Sequence, residues 1–266
     1  MAAREHGVTT LALTDHDTTD GLAEAIAAGR TYGVEVIPGV EINTDVDTHE
    51  VHILGYFIDR ADPAFQAFLR KMREGRLRRA EEMVRKLAAL GVSVEWARVQ
   101  RIAAGAAVGR PHIARALVEA GRVDSPQDAF ERFLGRDRPA YVPRLKLAPE
   151  EAVEVIARHE GVPVLAHPGW EASGPVIDRV PQLAAHGLAG IEAYYPDHTP
   201  EMVAAYVATA HRHGLVVTGG TDFHGGAFAT RVQLGSVPVP AEVVPALRAR
   251  WAARRSSIPS RDARPS

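Results

Sequence analysis

Four histidines in this chain differ from the other eight in what surrounds them. His16 lies between two aspartates in LTDHD, His52 sits in the apolar run HEVHILGYF, His167 closes VPVLAH, and His224 follows Asp222 in TDFH. Glu41 in PGVEIN and Glu192 in GIEAY occupy comparable places. Imidazoles and carboxylates in or just beyond β-rich runs are donors for zinc, manganese or iron, and the chain has no cysteine to offer a thiolate. A bridging carboxylate with several imidazoles can hold two or three such ions, activate water and neutralise the charge that develops on a phosphate ester. One histidine at a strand end is more often structural than a ligand; four beside carboxylates point to a metal site. His6, His159, His186 and His213 instead lie one or two residues before a glycine, where a cation favours a helix C-terminus. His198 and His211 also read as structural.

A repeated phrase must position the first group: a helix tail, a glycine, a β-rich run, then polar residues. It occurs as REHGVTTLALTDHD from Arg4, RTYGVEVIPGVEIN from Arg30, RHEGVPVLAHPG from Arg158, AAHGLAGIEAYYP from Ala184 and HRHGLVVTGGTDFH from His211. Glycine past a helix reads as a left-handed cap, and the run after it as a buried parallel strand. Helices are predicted between the runs, at 20–32 and, opening on Thr-Pro-Glu, at 199–213. This alternation predicts a parallel sheet with helices outside it, and five or more units suggest a barrel. Barrel enzymes gather their chemistry at the C-terminal strand ends. That rim collects Asp15, His16, Asp17, Glu41, His167, Glu192, Asp222 and His224, with His52 on a further strand.

Residues 62–143 break the rhythm. Phe65, Phe68, Leu69, Met72, Leu77, Ala80, Met83, Val84, Leu87 and Leu90 recur at helical spacing, and shorter helices follow over 111–120 and 126–134. The reading is a barrel over 1–61 and 144–250, an all-helical insertion over 62–143 that caps the site, and a disordered tail over 251–266. Arg70, Lys71, Arg73, Arg76, Arg78 and Arg79 read as a solvated helix face paired with Glu74, Glu81 and Glu82, in preference to an RNA track. The 266 residues are 46% hydrophobic and 24% charged with net charge −2, which argues against a general nucleic-acid binder. No run is long enough to span a membrane and the first ten residues lack the apolar core of a signal peptide, so the expected location is the cytoplasm.

Taken together, LALTDHDTTDGLAEA, IPGVEINTD, HEVHILGYF, VLAHPG and GGTDFHG resemble the polymerase-and-histidinol-phosphatase (PHP) metalloesterase superfamily, over about residues 5 to 240. The branch they resemble is the tryptophan-operon-associated group of nucleoside 3′,5′-bisphosphate phosphatases and 5′-3′ exoribonucleases. The resemblance implies a distorted (βα)7 TIM-like barrel with up to three divalent metals, manganese first and zinc or iron as alternatives. It implies His16, Glu41, His52, His167, Asp222 and His224 as ligands. Glu41 would bridge two metals, His52 and His167 would complete one position with it, Asp222 would serve the next, and His16 with His224 a third. Glu41, His52 and Asp222 would carry catalysis. Arg110 and His112, from GRPH, are implied as phosphate contacts, a role that suits the planar guanidinium. Against the family pattern, a first strand carrying His-x-His and a following Ser-Asp-Gly are absent from the sequence, so two metal positions are expected to be deficient.

The substrate reading is therefore a nucleoside bisphosphate or short RNA, with no membrane and no stable protein partner. The alternative is an N-terminally truncated, catalytically deficient metal-binding domain. An amidohydrolase would use a barrel lysine, and no lysine lies near these strand ends.

Overall fold

The computed structural model describes residues 1–46, 49–104, 108–143, 147–170, 174–225 and 232–257. The chain divides into two compact units, Met1–Phe65 with Leu147–Ser266, and Gln66–Lys146.

The first unit is built on one sheet of six strands in chain order: β1 (Thr10–Leu13), β2 (Glu35–Val46), β3 (His49–Tyr56), β4 (Val162–Leu165), β5 (Gly190–Tyr194) and β6 (Val216–Gly219). The pairs β1–β2, β4–β5 and β5–β6 are parallel, whereas β3 runs antiparallel to both β2 and β4. This corrects the all-parallel expectation. Only two residues separate β2 from β3, and so short a connection can make a hairpin but not a crossover.

The sheet curls. Six flat strands would hold their edges about 24 Å apart, at about 4.8 Å per step. Yet His16, just past β1, and His224, just past β6, bring their ring centroids to 5.9 Å. No ladder joins β1 to β6 among the described residues, so the sheet is a half-barrel.

The helices of the described residues are α1 (Ala2–Glu5), α2 (Leu22–Tyr32), α3 (Pro63–Ala89), α4 (Trp96–Ala103), α5 (Arg110–Glu119), α6 (Pro126–Ala129), α7 (Pro149–Arg158), α8 (Val180–Ala185), α9 (Pro200–Arg212) and α10 (Val243–Ser257). Side chains alternate faces along a strand, so Ile37 and Glu41 on β2 share a face with Tyr56, Leu54 and His52 on β3. Toward one end that face is apolar, where Ile37, Leu54, Tyr56, Val162 and Val164 pack with Val244, Leu247 and Trp251 of α10. Trp251 stacks on Phe57 at 4.7 Å and 13°. The tail expected from residue 251 therefore starts as the last turns of a packed helix reaching Ser257, and 258–266 lie outside the described residues. Toward its other end the same face is polar.

Gly7, Gly33, Gly187 and Gly214 take positive φ past their helices, but in RHEG the left-handed residue is Glu160 (φ 64°), not Gly161. Gly161 supplies room instead: a Cβ there would lie 2.8 Å from Ile156 Cγ2 and from Ile58 Cδ1.

The second unit is helical and has its own core, in which Met83, Leu87, Val99, Ile113, Leu117 and Leu134 are buried together. It contains α4, which the apolar spacing did not announce, and the segment predicted as one helix over 126–134 is α6 followed by a π-helical turn, Phe130–Leu134. The basic residues of α3 are partly structural. Arg79 donates to the Val142 carbonyl at 2.6 Å and Lys86 to the Tyr141 carbonyl at 2.8 Å, while Arg85 pairs with Glu82.

Asp62 anchors the first turn of α3. Its Oδ1 accepts from the amides of Ala64 (2.9 Å) and Phe65 (3.3 Å), and its Oδ2 meets His159 Nδ1 at 2.7 Å. Burial opposes the charged carboxylate, but the His159 and amide contacts outweigh it and bring its pKa down to about 2. A depressed carboxylate stabilises the fold above its unfolded pKa of 3.8 and loses that contribution as pH falls through about 2. Asp62→Ala is accordingly expected to cost about 1–3 kcal/mol at pH 7. Urea unfolding between pH 7 and pH 2 should show the gap from wild type narrowing below pH 4, and a gap that is constant with pH would refute the assignment.

Candidate metal centre

The polar end of the inner face is organised around Glu41, which lies mid-strand and is 4% exposed. The pleat explains its neighbours. On the β1 side, His16 forms an isolated parallel bridge with Glu41, so the two sit side by side. On the β3 side, Glu41 pairs with Leu54 and Asn43 pairs with His52, which makes His52 the diagonal neighbour of Glu41 on the same face. His167 follows the end of β4.

Glu41 uses its two oxygens on different partners. Oε1 meets His52 Nδ1 at 2.6 Å and His167 Nε2 at 3.3 Å, and Oε2 meets His16 Nδ1 at 3.3 Å. His52 Nδ1 and His167 Nε2 are themselves 3.3 Å apart. Donor atoms around one ion at about 2.1 Å stand roughly 3.0–3.4 Å apart in octahedral or tetrahedral geometry; the two 3.3 Å separations to His167 Nε2 match that spacing, whereas Glu41 Oε1 and His52 Nδ1, at 2.6 Å, stand at hydrogen-bond distance and would have to part by about half an ångström to share a cation. Ligand atoms of His16, Glu41 and His52 also lie within 4.8 Å of one another. The far nitrogen of the His167 ring, Nδ1, is buried without a hydrogen-bond partner among the described residues, which costs energy in a protein interior. The donor set is nitrogen and oxygen throughout, as hard or borderline divalent cations prefer.

Electrostatics follow from this crowding. Burial alone would raise the Glu41 pKa, but the charges of His16 and His52 and the hydrogen bonds from His167 and His52 hold it well below the ordinary value. Burial disfavours a charged His52 ring, yet Glu41 and then Glu50 outweigh it and lift its pKa to about 9. His52 Nε2 is held on its far side by Asn43 Nδ2 at 2.5 Å and Glu50 Oε1 at 3.3 Å. Ligation requires the ring proton to leave, so cation uptake here competes with protons.

At the opposite edge, Asp222 accepts from the Tyr195 hydroxyl at 3.3 Å, and burial and the Glu41 charge raise its pKa. His224 Nδ1 lies 2.7 Å from the Asp222 carbonyl oxygen. Glu192 sits deeper: burial raises its pKa to about 7, opposed by His167 and reinforced by Asp222 and Glu41. Backbone strain gathers here as well, since Asp17 (φ 54°), His167 (φ 21°) and Asp222 (φ 49°) are non-glycine residues in the left-handed region.

No family model matches the chain. Individual proteins do. A 3′,5′-nucleoside bisphosphate phosphatase of Chromobacterium violaceum is 38% identical over 222 residues, spanning 80% of this chain and 76% of that protein. The chain belongs to this family of PHP-type phosphoesterases. The 5′-3′ exoribonuclease Rnm of Escherichia coli is likewise 38% identical, over 226 residues, or 84% of this chain and 77% of the relative. The fold agrees: a Bifidobacterium adolescentis protein assigned as a metal-dependent phosphoesterase superposes with a TM-score of 0.84 at 30% identity, covering 93% of this chain and 88% of that one. This PHP-type chain is thus a metal-dependent phosphoric-ester hydrolase by kinship, with a half-barrel that presents a candidate divalent-metal site.

Of the residues singled out from sequence, the PHP-type sheet brings His16, Glu41, His52 and His167 into direct contact, with His224 beside His16 and Asp222 within electrostatic reach of Glu41. The expectation that Glu41 and Glu192 follow strand ends needs correction, because both lie inside strands, whereas His52 lies on a strand as expected. Glu192, collected at the rim by the sequence reading, accepts through Oε2 from the backbone N–H of His167 at 2.9 Å. Asp17 is buried, and its own N–H donates to the Glu41 carbonyl at 2.9 Å. Asp15, raised by burial against the opposing charge of His224, flanks the same loop. Arg110 and His112 lie in the helical unit at the start of α5, Arg110 over the Phe130 ring at 5.6 Å and His112 Nδ1 accepting from the Gly109 amide at 3.0 Å.

Sequence reasoning missed Asn43, Glu50, Trp170 and Tyr195. Asn43 and Glu50 were legible in principle, since each lies two residues from a ligand on an alternating strand. Trp170 is 5.1 Å from the His52 ring and Tyr195 is 5.2 Å from that of His167, contacts that only the folded loops create. If this cluster holds a divalent cation, His52→Ala and His167→Ala should each weaken manganese binding by more than about 100-fold, beyond what outer-shell changes cause. Isothermal titration of the metal-stripped chain would measure this, and unchanged affinity in both variants would remove the centre.

Proposed function

We propose that the chain removes the 3′-phosphate from nucleoside 3′,5′-bisphosphates and trims short RNA from its 5′ end, in line with the activities of its relatives. The observation that carries this reading is the division of the Glu41 carboxylate, one oxygen toward His52 and His167 and the other toward His16. That is the arrangement a carboxylate needs to bridge two cations. In this reading Glu41, His52 and His167 hold one ion, Asp222 serves the position beside it, and His16 with His224 serves a third. Manganese is the proposed metal, with zinc or iron as alternatives, and the half-barrel is read as a distorted (βα)7 barrel of the PHP type. Among the described residues no helix is long and apolar enough to cross a membrane, and nucleotide substrates favour a cytoplasmic location.

Cations held there supply Lewis acidity toward the phosphate oxygens and lower the pKa of a coordinated water. The chain's own residues do the rest. The buried Glu41 carboxylate fixes the spacing of the imidazoles around it. Asn43 and Glu50 stop the His52 ring from turning, and the Tyr195 hydroxyl steadies Asp222. Arg110 and His112 are carried as phosphate contacts on side-chain chemistry alone.

The test is phosphate release from adenosine 3′,5′-bisphosphate with added manganese, alongside shortening of a 5′-phosphorylated trinucleotide. Glu41→Gln keeps the shape but removes the charge, and should lower kcat/KM on both substrates by about 1000-fold or more. Turnover retained in that variant would overturn the assignment.

A further inference from the structure

Two buried acceptors outside the ligand set converge on the backbone of one short turn, residues 167–170. His198, in the loop between β5 and α9, is 9% exposed. Its Nδ1 faces the Ala193 carbonyl oxygen at 2.8 Å, and its Nε2 faces the Gly169 amide at 3.2 Å. A carbonyl can only accept and an amide can only donate, so the ring must be neutral, with the proton on Nδ1 and the lone pair on Nε2. Burial, with His167 nearby, keeps its pKa below the ordinary histidine value. One turn away Glu192 Oε2 accepts from the His167 amide at 2.9 Å, and the Trp170 amide closes the turn on the His167 carbonyl at 3.0 Å.

The fit around Gly169 is tight. A Cβ there would fall 2.7 Å from His198 Cδ2 and 2.8 Å from Nε2, so only glycine lets the amide reach the ring. The turn also needs holding. His167 has φ 21°, outside the favourable wells, and such a conformation persists only when its surroundings over-determine it. A register shift in β5 between Glu192 and Tyr194 lets the two clamp residues approach from the same strand end.

We propose that His198 is a positioning residue for His167: with Glu192 it clamps the 167–170 turn through the Gly169 and His167 amides, and so keeps the His167 ring on Glu41. The inference rests on the metal-centre reading above, yet the clamp itself is measurable without metal.

The experiment compares wild type with His198→Ala, His198→Gln and Gly169→Ala. Glutamine offers an acceptor near the place of Nε2, whereas alanine offers none. In the metal-free chain, NMR amide exchange at Gly169 should accelerate by about tenfold in His198→Ala, while the β4 amides exchange as before. Manganese affinity per folded chain should fall by about 10–100-fold in His198→Ala and in Gly169→Ala, and His198→Gln should recover most of it. A purely structural role would lower the unfolding midpoint without moving either readout, and wild-type exchange and affinity in folded His198→Ala would overturn the clamp. Should that variant not fold, Gly169→Ala against His198→Gln decides, and equal weakening of the two overturns the proposal. A wild-type chain that takes up no manganese would count against the metal centre, while the exchange comparison still decides the clamp.

Discussion

A fully buried carboxylate in the middle of a sheet is the constraint around which the first unit is arranged. Taking Glu41 out of water is tolerable only if positive charge or strong donors meet both of its oxygens. The fold meets that demand from the two strands that flank it. His52 comes from β3, fixed by ladder register, and His16 from just past β1, held beside Glu41 by an isolated parallel bridge. The third contact, His167, arrives from β4 through a turn and carries the strain. A cation shared by these groups meets the same electrostatic demand. Burial at this position therefore selects for metal binding as directly as the ligand types do.

Glu192 shows the contrast. It is as buried as Glu41, but its recorded hydrogen bond comes from a single backbone amide, and its pKa rises to about 7 where that of Glu41 falls. Two carboxylates on one concave surface are thus pushed in opposite directions by their partners, the pattern that separates a charged ligand from a supporting group. Below both, the inner face turns apolar and α10 covers it, so a dry layer underlies the charged rim and strengthens every interaction within it.

Much of this was legible in the sequence. Glycine-led β runs revealed five of the six strands and their helices, and histidines beside carboxylates revealed the site. What stayed hidden has physical reasons. The reversed direction of β3 depends on a two-residue connection, which a search for repeated βα units passes over. Placing Glu41 inside its strand instead of past it requires the ladder register, which no composition pattern contains. His198 looked structural because its partners, Gly169 and Ala193, offer backbone atoms that leave no mark in a sequence. The helix reaching Ser257 was obscured because its arginines dilute the apolar signal that Leu247 and Trp251 supply.

The curl of the sheet leaves β1 and β6 facing each other without a shared ladder among the described residues. Unpaired strand edges invite association with other chains unless something blunts them. Here the imidazoles of His16 and His224 approach each other across the gap, bringing side chains from beyond the first and last strands together at the rim where the described residues share no ladder. The seam of the half-barrel and the candidate metal centre are then the same place. Any ion that these side chains held would tie together the two edges of an unclosed cylinder.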